Sequence, residues 1–357
     1  MVGKRDFKKA KIFWGLIVVI ILSFFIFYFN CSKNPTKYQP IPVYLYVSNT
    51  GSSAQKMIYV ISTETDSFVD SIYLGPNIEP GELALSPDKT TLYVTATIID
   101  TMDQTFTSTR YEVDTRTKAI KYIGPNSSTV ISPDGKYLFG AVGRNFTIFD
   151  ACTHQIVYQE STFFSAGCFD SRNFLVYGGT ERKCRVFNYK NKTWVKTIDI
   201  FPNGAVISPD GEMLYFLELH PYYFFLDVYD LRKDSLVAKF GINSPGQLAI
   251  KPDGNTLYIT DPGGGGGCIS IEPPPTGKLG VFDMKTNTPL PSISLDPLGD
   301  SFDLKPSYIR ITPDGKKAYL SLCLDRILVI DLVRNEPLKG IIYPGYRKEL
   351  ALFYIAL

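Results

Sequence analysis

The chain has 357 residues, of which 45% are apolar and 20% charged, and this balance excludes disorder over most of its length. Its net charge is +2, whereas residues 1–11 alone carry +4, so the remainder carries −2, the difference between the two. A nearly neutral body lacks the basic face that nucleic-acid binding requires, and no nucleic acid is expected among its partners. Its 24 Phe and 23 Tyr favour β-strands, and its 24 Pro and 28 Gly indicate many turns.

Residues 12–29 form an uncharged apolar run that follows the basic cluster. The run exceeds the roughly 7–15 apolar residues of a cleaved signal peptide, and the basic cluster predicts a cytoplasmic N-terminus with an exported body. Cys31 ends the run and resembles the lipidated cysteine of a bacterial lipoprotein, although Tyr28–Asn30 lacks the usual small residue. We expect residues 1–31 to be a signal or membrane anchor, either lipoprotein or uncleaved, and residues 32–42 to be a linker. Either anchor places the body in the cell envelope, in the periplasm or outside the cell.

A tetrapeptide of the type Ser-Pro-Asp-Gly recurs along the rest of the chain. Pro fixes φ, Asp bonds nearby backbone and Gly accepts positive φ, so each copy predicts a tight turn between two strands. A spacing of roughly 40 residues with strand-like flanks predicts one β-propeller blade per copy, with four strands A to D of which A and B flank the turn. The copies begin at Ser86, Ser132, Asp170 (a degenerate copy), Ser208, Lys251 and Thr312. Strand C is expected to end in a polar turn residue, at Asp114, Asp150, Asn188, Asp230, Asp283 and Asp331.

The two ends of the chain predict how the ring closes. Residues Val43–Asn49 have the pattern of a strand B with no strand A before it, and Glu349–Leu352 repeats the strand A sequence Glu82–Leu85. We therefore expect the last strand to complete the first blade. The result is an all-β, seven-bladed propeller over residues 43–357, closed so that no sheet edge is exposed at the junction.

The B strands resemble the YVTN family of β-propeller repeats. The namesake sequence is matched by Tyr46–Asn49, Tyr93–Ala96 and Tyr258–Asp261, and the resemblance covers nearly all of residues 43–357. It implies the propeller fold and says little about function. Family members include exported and surface proteins of unassigned role, and related propellers include lactonases and haem or quinone enzymes.

The long connections are all expected to join strands B–C or D–A, which places them on one face of the propeller. They span residues 97–106, 219–223, 261–277 and 295–305. Binding residues usually collect in such loops on a rigid scaffold, although loop tips also tolerate insertions without a functional reason. The candidate binding residues in these loops are Asp100, Asp103, His220, Tyr222, Tyr223, Asp296 and Asp300.

One charged residue interrupts a series of small apolar residues in the A strands. The third position before the turn proline holds Ala84, Val130, Cys168, Val206, Ala249 and, at the closure, Ala351, whereas the seventh blade has Arg310. A guanidinium near the propeller axis needs a counter-charge. Two alternatives are open: an ion pair with a carboxylate such as Glu82 or Glu349, or an anionic ligand in the central channel.

Motifs for metals, cofactors and catalysis are missing from the sequence. The five-glycine run 263–267 lacks the Gly-Lys-Ser/Thr of a phosphate loop, and there is no Gly-x-Ser-x-Gly elbow. The two histidines, His154 and His220, lie far apart, so no metal site and no cofactor is expected. Cys268 and Cys323 are the one candidate disulfide, because Cys168 and Cys184 fall on strands separated by a third.

These observations favour a non-enzymatic, membrane-tethered module that binds an envelope protein, a glycan or a small anionic ligand through its long-loop face. The alternative is a hydrolase of the lactonase type with its site in the central channel. Arg310, Glu82 and His220 would then be anion binder, carboxylate and base, and would have to converge within about 8 Å of one cavity.

Overall fold

The computed structural model describes residues 43–50, 56–100, 102, 105–125, 127–162, 164–180, 183–200, 202–219, 224–242, 246–261, 277–295, 306–322, 326–342 and 352–356. These ranges contain 28 β-strands arranged as seven four-stranded antiparallel sheets. A helix of the length and apolarity needed to cross a membrane is not found within them. The predicted anchor, Cys31 and the linker lie outside the described residues.

Each sheet is one blade, with strand A innermost and strand D at the outer edge. Blade 1 contains β1 (Tyr44–Thr50), β2 (Met57–Ser62), β3 (Ser67–Tyr73) and, from the other end of the chain, β28 (Leu352–Ala356). Blade 2 contains β4 (Ile78–Leu85), β5 (Thr91–Asp100), β6 (Thr105–Asp114) and β7 (Ile120–Pro125). Blade 3 contains β8 (Ser127–Ile131), β9 (Tyr137–Val142), β10 (Asn145–Asp150) and β11 (Ile156–Glu160). Blade 4 contains β12 (Ser165–Asp170), β13 (Leu175–Thr180), β14 (Lys183–Asn188) and β15 (Thr193–Ile198).

The remaining three blades follow the same order. Blade 5 contains β16 (Pro202–Ile207), β17 (Met213–Leu219), β18 (Phe224–Asp230) and β19 (Ser235–Ile242). Blade 6 contains β20 (Leu248–Ile250), β21 (Thr256–Asp261), β22 (Lys278–Asp283) and β23 (Thr288–Ser294). Blade 7 contains β24 (Pro306–Ile311), β25 (Lys317–Leu322), β26 (Arg326–Asp331) and β27 (Glu336–Ile342). The predicted all-β, seven-bladed architecture is confirmed.

The ring closes through antiparallel pairing of β1 with β28, but the closing strand was placed wrongly. Val47 lies opposite Ile355 and Tyr46 opposite Ala356, in the register that pairs Val94 with Leu83 in blade 2. The last residues of the chain therefore form strand A, instead of the predicted Glu349–Leu352. Because no Pro-Asp-Gly turn follows the last strand, the sequence has no landmark from which to set its register.

The repeated tetrapeptide forms the turn between strands A and B, as predicted. In blade 3 the Ser132 hydroxyl donates to Asp134 at 2.6 Å and accepts from the Tyr137 amide at 3.0 Å, which holds the start of strand B against the end of strand A. In the degenerate copy of blade 4, Asp170 replaces the serine and accepts from the Asn173 side chain at 2.7 Å. The turn is thus kept, with a hydrogen bond between Asp170 and Asn173 in place of the bond between serine and aspartate.

The C–D turns are capped by the polar residues that the sequence predicts. The carboxylate of Asp283, for example, accepts from the backbone amides of Lys285 and Thr286 at 2.8 and 3.0 Å. Such a bond from a side chain to the following backbone stabilises a turn against extended alternatives. The same pattern of two accepted amides is made by Asp114, Asp150, Asn188, Asp230, Asp283 and Asp331.

A strand B tyrosine bonds the C–D turn of the following blade. The hydroxyls of Tyr258 and Tyr215 lie 3.4 Å from the Oδ1 atoms of Asn335 and Asn287, which adopt φ values of +56° and +53°. Asparagine and aspartate tolerate this left-handed conformation better than most residues. The tyrosine that defines the repeat therefore joins neighbouring blades as well as filling the core.

At the junction of blades 7 and 1 the equivalent tyrosine contacts a charged residue. The Tyr319 hydroxyl donates to the carboxylate of Asp66, and Lys317 Nζ bonds the same carboxylate at 2.7 Å. Asp66 is buried, with 7% of its surface exposed. We refer to Asp66, Lys317 and Tyr319 as the closure cluster, since it joins the first and last blades of the ring.

Apolar side chains fill the interfaces between blades, and successive residues of a strand face opposite neighbours. Val94 packs with Tyr46 of blade 1, whereas Tyr93 packs with Leu138 and Phe149 of blade 3. This period of two with both faces buried explains the continuous apolar character of the inner strands. The rigid ring holds the A strands around the axis and the connections at the two rims.

Replacement of Asp66 by alanine tests the closure cluster. It removes the carboxylate that Lys317 and the Tyr319 hydroxyl share and leaves them only the Thr63 carbonyl. We therefore expect a loss of about 2–3 kcal/mol in the free energy of unfolding, measured by denaturant titration. Asn287→Ala is the matched control, because it removes the same left-handed turn residue but only a neutral bond. Equal losses from the two substitutions would show that the closure cluster adds nothing.

Candidate functional site

The bounds of the strands place the long connections on the B–C and D–A side. The connection from β21 to β22 and that from β23 to β24 are the longest between consecutive strands of the ring. In blade 2 the prediction of a loop at 97–106 is wrong. Strands β5 and β6 have ten residues each and pair as far as Asp100 and Thr105. Most of the residues predicted to form a loop therefore extend the β-hairpin. Near its tip, Met102 and Phe106 are 90% and 71% exposed.

The strand registers define a ring of seven equivalent positions around the axis. In blade 7 Arg310 lies opposite Tyr319, as Ala84 lies opposite Tyr93 in blade 2. At the closure the equivalent residue is Ala356, opposite Tyr46, and the assignment of Ala351 to this place is therefore wrong. We call these residues the A-strand ring: Ala84, Val130, Cys168, Val206, Ala249, Arg310 and Ala356.

Arg310 is the one charged member of the A-strand ring, and it is half-buried. Its Nη1 donates to the backbone carbonyl of Ile309 at 2.8 Å and to the side-chain Oε1 of Gln247, in blade 6, at 3.3 Å. Burial lowers the pKa of Arg310, which records the cost of holding the charge away from water. Among the described residues no carboxylate forms an ion pair with it. The alternative of an ion pair with Glu82 is therefore wrong, whereas a pair with Glu349 stays a prediction because Glu349 lies outside the described residues.

Gln247 is held in place by a close approach of the backbone. Its amide donates to the Thr260 hydroxyl at 2.7 Å, and the Gly246 amide donates to the Thr260 carbonyl at 2.8 Å. A Cβ added at Gly246 would lie 2.2 Å from the Thr260 hydroxyl oxygen and 3.2 Å from its carbonyl oxygen. Glycine is therefore required beside Gln247, and Gln247 in turn orients the guanidinium of Arg310.

Of the other candidates from the sequence, Glu82 and Asp100 lie among the described residues. Glu82 is exposed on β4, and Asp100 caps the blade 2 hairpin by accepting from the Met102 amide at 2.8 Å. The remaining predicted site residues lie outside the described residues: His220, Tyr222, Asp296, Glu349, the proposed pair Cys268 and Cys323, and Cys31, with Asp103, Tyr223 and Asp300 among the lesser candidates. In the described part of the chain, Cys152, Cys168 and Cys184 are free thiols.

Blade 5 contains a buried carboxyl pair that the sequence did not reveal. Asp227 is 1% exposed, and Lys239 Nζ lies 3.5 Å from its Oδ2 and also bonds Glu218. Burial first, and then the neighbouring carboxyl group of Glu218, raise the pKa of Asp227 to about 7. These residues come from three adjacent strands, β17, β18 and β19, and only the cross-strand register brings them together. The alternation of apolar and polar residues within each strand did not predict this cluster.

This pair does not belong to the channel. Asp227 and Lys239 lie on strands C and D, toward the outside of the blade, whereas Arg310 lies on the innermost strand. The raised carboxyl pKa of Asp227 therefore does not supply the carboxylate that the lactonase alternative requires beside Arg310, and the candidate base His220 lies outside the described residues. Among the described residues, no group of three potential metal ligands is found either.

Seven four-stranded blades around one axis, closed by the chain ends, define a seven-bladed β-propeller. No protein-family model matches the chain, and no curated protein matches it in sequence. Among solved structures it is similar to a Bacteroides uniformis protein provisionally assigned as a 6-phosphogluconolactonase, with a TM-score of 0.62 and 12% identity over 88% of this chain and 99% of that one.

Two further solved structures show the same likeness. A functionally unknown protein from Desulfotomaculum acetoxidans matches with a TM-score of 0.59 and 14% identity, over 87% of this chain and 98% of that one. The hydrazine synthase of Kuenenia stuttgartiensis matches with a TM-score of 0.53 and 19% identity, over 73% of this chain and 78% of that one. At these identities the likeness establishes the fold alone.

The carboxyl pair predicts a pH dependence of stability. Because the pKa of Asp227 is higher in the folded chain than in the unfolded one, its contribution to stability is complete below about pH 4 and is lost as the pH rises through about 7. Asp227→Asn removes this loss. As the pH rises from 5 to 8, we expect the free energy of unfolding of the variant to increase by about 1–2 kcal/mol relative to that of the wild type, measured by denaturant titration at each pH.

Asp210→Asn is the control of opposite sign. A hydrogen bond from Ser208 lowers the pKa of Asp210, so its contribution is present at neutral pH and is lost in acid. This variant should therefore be less stable than the wild type at pH 8 and equal to it near pH 3. If the free energies of unfolding of the wild type and Asp227→Asn differed by the same amount at every pH, the raised pKa of Asp227 would be contradicted.

Proposed function

We propose that the chain is a membrane-tethered, extracytoplasmic propeller of the YVTN type that acts as a non-enzymatic binding module. It recognises an envelope protein, a glycan or a small molecule through its long-loop face, and an anionic group of that partner binds Arg310 in the central channel. The observation that carries the proposal is the half-buried guanidinium of Arg310, bonded by an amide oxygen and a backbone carbonyl instead of a carboxylate.

The neutral partners of Arg310 favour a ligand that brings its own charge. A guanidinium paired with a carboxylate inside the protein would already be neutralised and would have little affinity for an anion. Gln247 and the Ile309 carbonyl instead orient the group, and no carboxylate of the described residues forms an ion pair with it. Gln247 precedes β20, so the bond directs the guanidinium toward the end of the channel where the long connections lie.

The predicted anchor and the resemblance to YVTN repeats support the proposed location at the membrane, outside the cytoplasm. The basic cluster and apolar run at residues 1–29 favour export with retention at the membrane. The Tyr-Val-Ser/Thr pattern of the B strands supports a YVTN-type repeat, whose members are commonly exported. The solved structures of similar fold have different activities in their names, so the fold leaves the ligand open.

Substitution of Arg310 tests the binding mode. The full chain is purified in detergent and titrated with citrate and with inorganic phosphate, and it is also used to capture partners from a native envelope extract. We expect Arg310→Gln to weaken binding at least about tenfold, and Arg310→Lys to retain part of it, because lysine keeps the charge but loses the planar fork. Arg334→Gln is the control, since the Arg334 side chain is 70% exposed.

A second variant separates the position of the guanidinium from its charge. Gly246→Ala should displace Gln247 and weaken the same binding by a smaller factor, whereas Gly241→Ala, where an added Cβ meets nothing within 4 Å, should leave it unchanged. Binding that survives Arg310→Gln would sink the channel mode. Hydrolysis of a lactone panel that depends on Arg310 would replace the binding module with the lactonase alternative.

A further inference from the structure

The interface between blades 2 and 3 concentrates the unsatisfied polar atoms of the described chain. Four buried side-chain atoms in the described ranges have no hydrogen-bond partner, and three of them, Arg110 Nε, Arg110 Nη1 and His154 Nδ1, lie at this interface. A buried donor left without an acceptor costs about 1–3 kcal/mol, and more when it is charged. Such a concentration indicates that something beyond the protein's own groups accepts from them.

Arg110 is the more demanding of the two residues. It lies on β6, is 2% exposed, and its guanidinium is stacked over the ring of Phe149 at 4.7 Å from the centroid. The apolar residues buried at this interface are Tyr93, Leu138, Phe149 and Ala151. Burial accordingly lowers the pKa of Arg110. In a medium of such low polarity a neighbouring anion would be attracted far more strongly than in water.

The nearest carboxylate is already engaged elsewhere. Glu112 lies two residues along the same strand, and its Oε1 and Oε2 are 3.4 Å from His154 Nε2 and 3.9 Å from Lys121 Nζ. Among the described residues no carboxylate forms an ion pair with Arg110. The cation is thus compensated at a distance but is not hydrogen-bonded.

Blade 3 has a glycine on the face that it turns toward blade 2. Strand B of most blades has a bulky residue eight positions after the start of the turn tetrapeptide, such as Val94, Phe216 or Leu320, and these side chains pack against the preceding blade. In blade 3 this position is Gly140, paired with Thr147.

We propose that the interface between blades 2 and 3 binds a small monovalent inorganic anion of the halide class, chloride under ordinary conditions, on the guanidinium of Arg110. The ion accepts from the buried N–H groups of Arg110, at the interface where blade 3 has Gly140 in place of a bulky residue. Because the guanidinium is almost fully covered, the ion must be small and must lose most of its water. Chloride and bromide meet this requirement better than strongly hydrated fluoride or phosphate.

The test measures thermal stability of the full chain while gluconate is replaced by chloride at constant ionic strength. We expect the wild-type Tm to rise by about 2–4 °C up to about 150 mM chloride, with bromide at least as effective and fluoride less so. In Arg110→Met this rise disappears. In gluconate the variant should be at least as stable as the wild type, because an unpaired buried charge has been replaced by an apolar chain.

Direct binding is measured by the ³⁵Cl NMR linewidth, which should broaden with wild-type protein and not with Arg110→Met. Arg185→Met is the matched control, because Arg185 also stacks on an aromatic ring, Trp194, at 3.6 Å but has no buried unsatisfied atom. It should keep the full chloride response. Equal chloride responses and linewidths for wild type and Arg110→Met, or no response in either, would overturn the proposal. Arg110→Lys, which keeps the charge, should shift half-saturation to higher chloride and covers the case in which the methionine variant does not fold.

Discussion

The backbone ladder between β1 and β28 is the contact on which every other interface of the propeller depends. Each blade buries two faces, and this is possible for the first and last blades only because the chain ends share one sheet. The closure cluster adds side-chain bonds at the adjacent junction, where blade 7 meets blade 1. Arg310 lies in blade 7, so the same closure also sets the position of the candidate binding residue in the channel.

Much of this architecture could be predicted because its determinants are local. The Pro-Asp-Gly turns and the carboxylates that cap the C–D turns act within a few residues of sequence, and their spacing gave the number of blades. The closing strand has no such turn after it, and the choice of Glu349–Leu352 over Leu352–Ala356 rested on sequence identity alone. Asp227 could not be found at all, because its partners Glu218 and Lys239 are set by cross-strand register. The bond of Arg310 to Gln247 could not be predicted for a related reason, since Gln247 comes from a neighbouring blade.

Four buried or half-buried charges in this ring differ mainly in how they are satisfied. Asp66 is bonded by a lysine and a tyrosine, and Asp227 shares a lysine with Glu218. Arg310 has neutral oxygens, and Arg110 has an aromatic face but no acceptor. The first two have oppositely charged partners within the fold, whereas among the described residues the last two form no ion pair with a carboxylate. The partners of each charge therefore distinguish charges that are paired within the fold from charges that favour a ligand.

The A-strand ring also has a geometric meaning. Seven nearly identical blades give the channel an approximate sevenfold rotational symmetry, and a ligand bound along such an axis could take any of seven azimuthal orientations with similar energy. A single arginine among six small residues makes those orientations unequal. Each 1.4 kcal/mol of preference for the arginine side multiplies its population about tenfold relative to any other. A single arginine in one repeat would therefore give a ligand in the channel one preferred orientation, without any change to the scaffold that surrounds it.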